Sequence, residues 1–180
     1  MTKIAVCYAT GEGHTATVAE HVQKRLIAAG HEVELALCRK AGDEALQAAD
    51  GVILGASVHM GKHHKEAVRF ARDHQALLSA KPSAFFSVSL TATSDKPEKR
   101  AELKGYLDAF QEKTGWRPAL IEAFAGALLY TKYGFIKRKI MLKIARDEGG
   151  DADPSRDYVY TDWDAVDAFA DAFAAKIETS

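Results

Sequence analysis

The sequence predicts an α/β fold: a parallel sheet of five strands with helices on both faces. Three observations predict it. Short apolar runs at 4–8, 33–37, 51–54, 84–88 and 120–127 lack polar alternation, as strands buried on both faces do. Between most of them lie stretches with apolar residues at helical spacing. Glycines and small polar residues stand where runs end, and there the chain turns.

Ile4 to Tyr8 is the first strand, ending in small polar residues. From about 14 to 29, Val18, Val22, Leu26 and Ile27 mark one side of a helix, and Gly30 stops it. Val33 to Leu37 is the second strand, and Ala45 to Ala49 a short helix. Gly51 to Leu54 is the third strand, closed by Gly55, Ala56 and Ser57. Positions 63–79 read as one helix through Ala67, Phe70, Ala71 and Leu78. Ala84 to Val88 is the fourth strand. Pro97 suits the first turn of the next helix, behind Ser94 and Asp95 as caps, with Leu103, Tyr106, Leu107 and Phe110 on its apolar side. Leu120 to Ala127 is the fifth strand. Asp162 opens a last helix carrying Trp163, Val166, Ala170, Phe173 and Ile177. Such alternation implies right-handed crossovers, and five strands with a closing helix fit the flavodoxin-like order 2-1-3-4-5, a three-layer sandwich. The 180 residues suit a single domain. The stretch from about 128 to 160 is long for a connection and reads as an insertion with a helix of its own.

With 47% hydrophobic residues and a formal net charge of -1, nothing pulls the whole chain toward nucleic acid. Cys7 and Cys38 are far apart and outside any C-x-x-C, so two buried thiols in a reducing compartment are expected. The short apolar stretch after Met-Thr-Lys is too brief for a signal peptide, and no run reaches membrane-spanning length. The expectation is a cytoplasmic protein that at most attaches to a membrane surface.

Ligands of open α/β sheets bind at the carboxyl ends of the strands, where the strand order reverses. That places a site at Thr10-Gly11-Glu12-Gly13-His14-Thr15, the loop after the first strand. The loop feeds a helix N-terminus, whose free N–H groups and partial positive charge suit a phosphate. Thr10 and Thr15 add hydroxyls, and Gly11 and Gly13 let the backbone close. No Lys or Arg lies in the loop, so backbone and hydroxyl donors are expected to carry the anion. Residues 11–16 also match G-x-G-x-x-A, a dinucleotide pattern, and Arg39 and Lys40 after the second strand would suit a 2′-phosphate, so NADP stays open on this loop alone. Two further loops favour FMN. Ser57, Val58, His59 and Met60 lie in the loop after the third strand, Ser87, Val88, Ser89 and Leu90 at the end of the fourth, and Gly126 at the end of the fifth. A flat flavin ring between them would take backbone hydrogen bonds and apolar contact from Met60 or Leu90. His59, His63 and His64 suit zinc by type, but no Cys or carboxylate stands at ligand spacing, and an exposed helix start explains them better. No nucleophile with a base stands out, so any chemistry belongs to the cofactor.

Beyond these loops, Pro82-Ser83-Ala84-Phe85-Phe86-Ser87-Val88, Lys96-Pro97-Glu98-Lys99-Arg100, Trp116-Arg117-Pro118, Ala125-Gly126-Ala127-Leu128 and Val159-Tyr160-Thr161-Asp162-Trp163 run in order along the chain. With Gly55-Ala56-Ser57, they make the sequence resemble the bacterial menaquinone-dependent protoporphyrinogen IX dehydrogenases, a long-chain flavodoxin-like group. The resemblance implies an FMN oxidoreductase of haem biosynthesis. Such enzymes take six electrons from protoporphyrinogen IX and pass them to menaquinone or another membrane quinone. They sit peripherally on the inner face of the cell membrane. Thr10 to Thr15 match the family's phosphate loop in position.

The insertion gains a purpose on that reading. Lys132, Lys137, Arg138, Lys139, Lys143 and Arg146 stand among Tyr133, Ile136, Ile140, Met141 and Ile144, which share one side of a helix. A basic amphipathic helix suits a membrane surface, and the same charges suit the propionates of a porphyrin. A helix packed on the domain by its apolar side is the plainer reading. Two other functions fit the fold: a flavodoxin-type electron carrier, and an NAD(P)H-quinone reductase. The near-neutral charge and basic insertion count against the carrier.

Overall fold

The computed structural model describes residues 1–179. β1 (Lys3–Ala9) leads to α1 (His14–Ala28), β2 (Glu32–Leu37) and α2 (Asp43–Ala48). β3 (Gly51–His59) folds back into the short β4 (Lys62–His63), before α3 (Lys65–Asp73) and α4 (Gln75–Ala80). β5 (Ser83–Ser89), α5 (Pro97–Thr114) and β6 (Leu120–Ala125) follow, then β7 (Ala127–Leu128), α6 (Phe135–Asp147), β8 (Tyr158–Val159) and α7 (Trp163–Glu178). The main sheet runs β2-β1-β3-β5-β6, all parallel, which is the expected order with β4 added as an antiparallel flap on β3.

Side chains alternate across this sheet, so one strand feeds two cores. Ile4 and Val6 join Val18, Val22, Val166 and Phe173 under α1 and α7. Ala5 and Cys7 join Phe70, Leu78, Phe110 and Trp116 on the opposite face. Both cysteines are free and buried, and burial pushes the Cys7 thiol up to about 12. Gly30 takes φ +93 at the end of α1, as a C-terminal stop requires. Asp162 caps α7, accepting from the N–H groups of Asp164 (3.0 Å) and Ala165 (3.2 Å).

Two elements depart from the sequence reading. The single helix expected over 63–79 starts later and is two helices. His63 belongs to β4, and the chain breaks at His74, whose ring nitrogens reach the Phe70 carbonyl (2.9 Å) and Asp43 Oδ1 (3.0 Å). A side chain that bonds its own backbone four residues back offers the chain an alternative to continuing the helix. The insertion is a packed unit closed by the antiparallel pair β7 and β8, with Leu128 opposite Tyr158. Leu128, Leu129, Tyr130 and Tyr133 form a third small core, against which Met141 and Leu142 of α6 pack. Arg138 is part of that scaffold: its Nε donates to the Tyr130 carbonyl (3.0 Å) and its Nη2 to the Tyr133 carbonyl (3.3 Å).

Candidate cofactor site

A cleft of about 330 Å³ opens at the carboxyl ends of β1, β3 and β5. From the sequence-derived set, Thr10, Gly11, Glu12, His14, Thr15, Ser57, Val58, His59, Val88, Ser89, Leu90 and Gly126 line it. Three others do not. Gly13 shapes the loop from behind, at φ +98, where a side chain would be strained. Ser87 is fully buried and bonds His63 Nε2 at 2.9 Å. Met60 stands at the β3–β4 turn at φ +48 and is 88% exposed, outside the cleft.

The loop is built for an anion. Gly13 N–H donates to Thr10 Oγ1 (2.9 Å), which curls the loop, and the first helical bond is Thr17 N–H to the Gly13 carbonyl. The N–H groups of His14, Thr15 and Ala16 open the helix with no preceding turn to bond them, and no acidic residue stands in that turn. The expectation that backbone and hydroxyls alone serve the anion needs one addition. Lys132 Nζ lies 3.9 Å from where a Cβ on Gly13 would sit, so the insertion delivers a cation to the loop that the loop itself lacks. His14 Nε2 meets Thr161 Oγ1 at 2.6 Å, and that hydroxyl donates to the Ala125 carbonyl at 2.7 Å. With its one proton so used, Thr161 must accept from Nε2–H. Burial, then Lys132, lowers the His14 pKa, so the ring is neutral with Nδ1 unprotonated.

Sequence reasoning missed the far wall. His64, Ala127, Tyr133, Lys137 and Met141 complete the cleft, three of them from the insertion. Lys137 pairs with Glu12 of the loop, tying α6 to the anion site. Tyr133 and Met141 line the cleft with apolar surface, where Met60 does not. The three histidines part company. His59 and His64 face the cleft, while His63 lies buried against the rings of Phe85 and Phe110. Burial, with help from Lys113, pulls the His63 imidazole down to about 4, so it stays neutral.

Phosphate-ready loop, apolar walls and strand-order reversal together define a nucleotide-type cofactor cleft of flavodoxin architecture. The model of the flavodoxin domain matches residues 5–155, and the chain belongs to that family. Within it, the chain groups with relatives named protoporphyrinogen IX dehydrogenase [quinone]. One from Leishmania major is 35% identical over 96% of this chain and 75% of its own. One from Escherichia coli (strain K12) is 32% identical over 93% of this chain and 92% of its own. Solved structures agree on the fold. A short-chain flavodoxin associated with a bacterial microcompartment superposes with TM-score 0.61 at 18% identity, covering 98% of this chain and 99% of that one. Oxidised flavodoxin 2 from Bacillus cereus gives 0.58 at 24% identity, covering 97% and 99%.

Proposed function

We propose that this chain oxidises protoporphyrinogen IX to protoporphyrin IX, with FMN as its cofactor and a quinone, menaquinone in the first instance, as electron acceptor. The observation that carries the reading is similarity to relatives of that name over nearly the whole of this chain, insertion included. The residues of the cleft fit FMN. The free N–H groups at the start of α1, with Thr10, Thr15 and Lys132, receive its phosphate. Val58, Leu90, Tyr133 and Met141 would flank its ring, with Gly126 beside them in the cleft wall. FMN supplies the two-electron chemistry that links porphyrinogen to quinone. The chain's own groups bind, orient and keep water out. Anaerobic incubation of the FMN-loaded protein with protoporphyrinogen IX and menaquinone tests this: porphyrin fluorescence is expected to rise in step with quinone reduction. No fluorescence, from a yellow and fully loaded protein, would leave the electron-carrier reading instead.

The insertion is read as a membrane-surface helix. Its apolar residues divide between two sides: Tyr133 and Met141 turn inward to the cleft, while Ile136, Ile140 and Ile144 form an outward stripe at 75%, 53% and 45% exposure. Phe135 stands beside it, 72% exposed, with Lys139 Nζ 4.4 Å above its ring. Lys143 and Arg146 are exposed on the same helix. An exposed apolar stripe bordered by lysines suits the boundary of an anionic bilayer, each basic residue contributing about 1 kcal/mol. No helix among the described residues is long and apolar enough to cross a membrane. The double variant Ile136→Ser/Ile140→Ser is expected to lose most sedimentation with phosphatidylglycerol vesicles while keeping its FMN. Equal sedimentation of both proteins would refute the surface role.

A further inference from the structure

A second cleft, of about 480 Å³, lies between α3 and α5 behind the β3–β4 hairpin. Five cations converge on it: Lys62, Lys65, Arg69, Arg72 and Lys113. Its one carboxylate, Asp73, is engaged with Arg69 (Nε to Oδ2, 3.3 Å). None of Lys62, Lys65, Arg72 and Lys113 has a carboxylate partner among the described residues. Arg72 and Lys113 stand in the last turns of α3 and α5, where a cation favours the helix end. That accounts for each singly. It does not account for three more cations on the same hollow, which repel one another until an anion enters. The floor is neutral, since burial keeps the His63 ring unprotonated where it meets Ser87.

The β3–β4 hairpin contributes residues to both this hollow and the cofactor cleft. His59 and His64 face the cofactor cleft, and Gly61, Lys62 and His63 between them face the basic one. A macrocycle the size of a porphyrinogen exceeds what a 330 Å³ cleft can hold beside a flavin, so it must lie across the mouth. Its two propionates then need cations outside. Of the insertion's cations, Lys137 is paired with Glu12 and Arg138 with two carbonyls, and Lys139, Lys143 and Arg146 stand on the exposed surface of α6 with the outward apolar stripe. The basic hollow beside the hairpin is free.

Resting on the function proposed above, we infer that this hollow is the carboxylate subsite for the porphyrinogen: the macrocycle lies over Met60 and Gly61, and Lys62, Lys65 and Arg72 receive its propionates. The tip of the hairpin suits such a contact, since Met60 is held out at 88% exposure and offers a flat apolar rest.

The test uses the FMN-loaded full chain and the double variant Lys65→Gln/Arg72→Gln. Both side chains are exposed, so thermal midpoint and FMN content are expected to hold. Binding of protoporphyrin IX, read by its own fluorescence, is expected to weaken about tenfold in the variant, the sum of two modest ion pairs. Binding of the dimethyl ester, which has no charge to offer, should be weak and the same in both proteins. Unchanged acid binding by the variant overturns the subsite and leaves the function standing. A wild type that turns over no porphyrinogen overturns the function, and the binding series still decides whether the hollow takes porphyrin carboxylates.

Discussion

Replacing residues 129–157 by a two-residue Asn-Gly turn is expected to leave a folded sheet that binds FMN weakly and oxidises porphyrinogen at least about 100-fold more slowly, the scale on which lost positioning acts. The graft is geometrically mild. β7 and β8 are antiparallel neighbours, with Ala127 opposite Val159 and Leu128 opposite Tyr158, and Asn-Gly closes such pairs. The main sheet loses nothing, because both large cores lie elsewhere. The cofactor cleft loses its far wall: Tyr133, Lys137 and Met141 go together, as does Lys132 beside Gly13. Glu12 is then left without its partner at the rim of an anion site, which further disfavours a phosphate. Flavin fluorescence quenching measures the first effect and the anaerobic rate the second. A shortened protein that runs at full rate would show that the insertion is an ornament of the fold.

The strands and the place of the loop after β1 at the cleft were legible because their signals are local. Runs such as Val52-Ile53-Leu54 have one stable home, a sheet covered on both faces, and the glycines at 11 and 13 before a helical period have a well-defined use. The far wall was not legible because it is made by contact across long sequence distances. Lys137 finds Glu12 from 125 residues away, and nothing in either neighbourhood announces it. Helical spacing puts Tyr133, Ile136, Ile140, Met141 and Ile144 on one side, but Tyr133 lies ahead of α6 and turns to the cleft with Met141, while the three isoleucines face outward. The third core decided it by drawing Met141 and Leu142 down. Met60 lies outside the cleft for a different reason. Its turn takes a left-handed conformation that folds β4 back on β3 and carries the side chain outward. Likewise Lys81, unremarkable in sequence, sends its Nζ to the carbonyls of Leu46, Gln47 and Ala49 at 3.0, 2.5 and 2.7 Å, closing the end of α2.

Gly55→Ala is expected to be among the most damaging single methyl additions in the chain. Gly55 sits mid-strand in β3, paired with Tyr8 on one side and Phe86 on the other. A Cβ there would lie 2.1 Å from Phe86 Cζ and 2.5 and 2.7 Å from its two Cε atoms. The ring has nowhere to go: Phe86 is fully buried, with Phe124 and Phe169 each 5.9 Å away, centroid to centroid. Overpacking of this kind costs about 1–3 kcal/mol, which for a chain of this length lowers Tm by roughly 2–12 °C. Trimming the obstacle should reverse part of the loss, so Gly55→Ala/Phe86→Leu is expected to be more stable than the sum of its two single variants, a coupling that only contacting residues show. FMN binding separates two explanations of this glycine. Ser57 and Val58 line the cleft two and three residues further on, so a displaced β3 should weaken FMN in Gly55→Ala and recover it in the double variant. If FMN binding falls with no loss of Tm, and Phe86→Leu restores nothing, the glycine serves the ligand directly and the packing account is wrong.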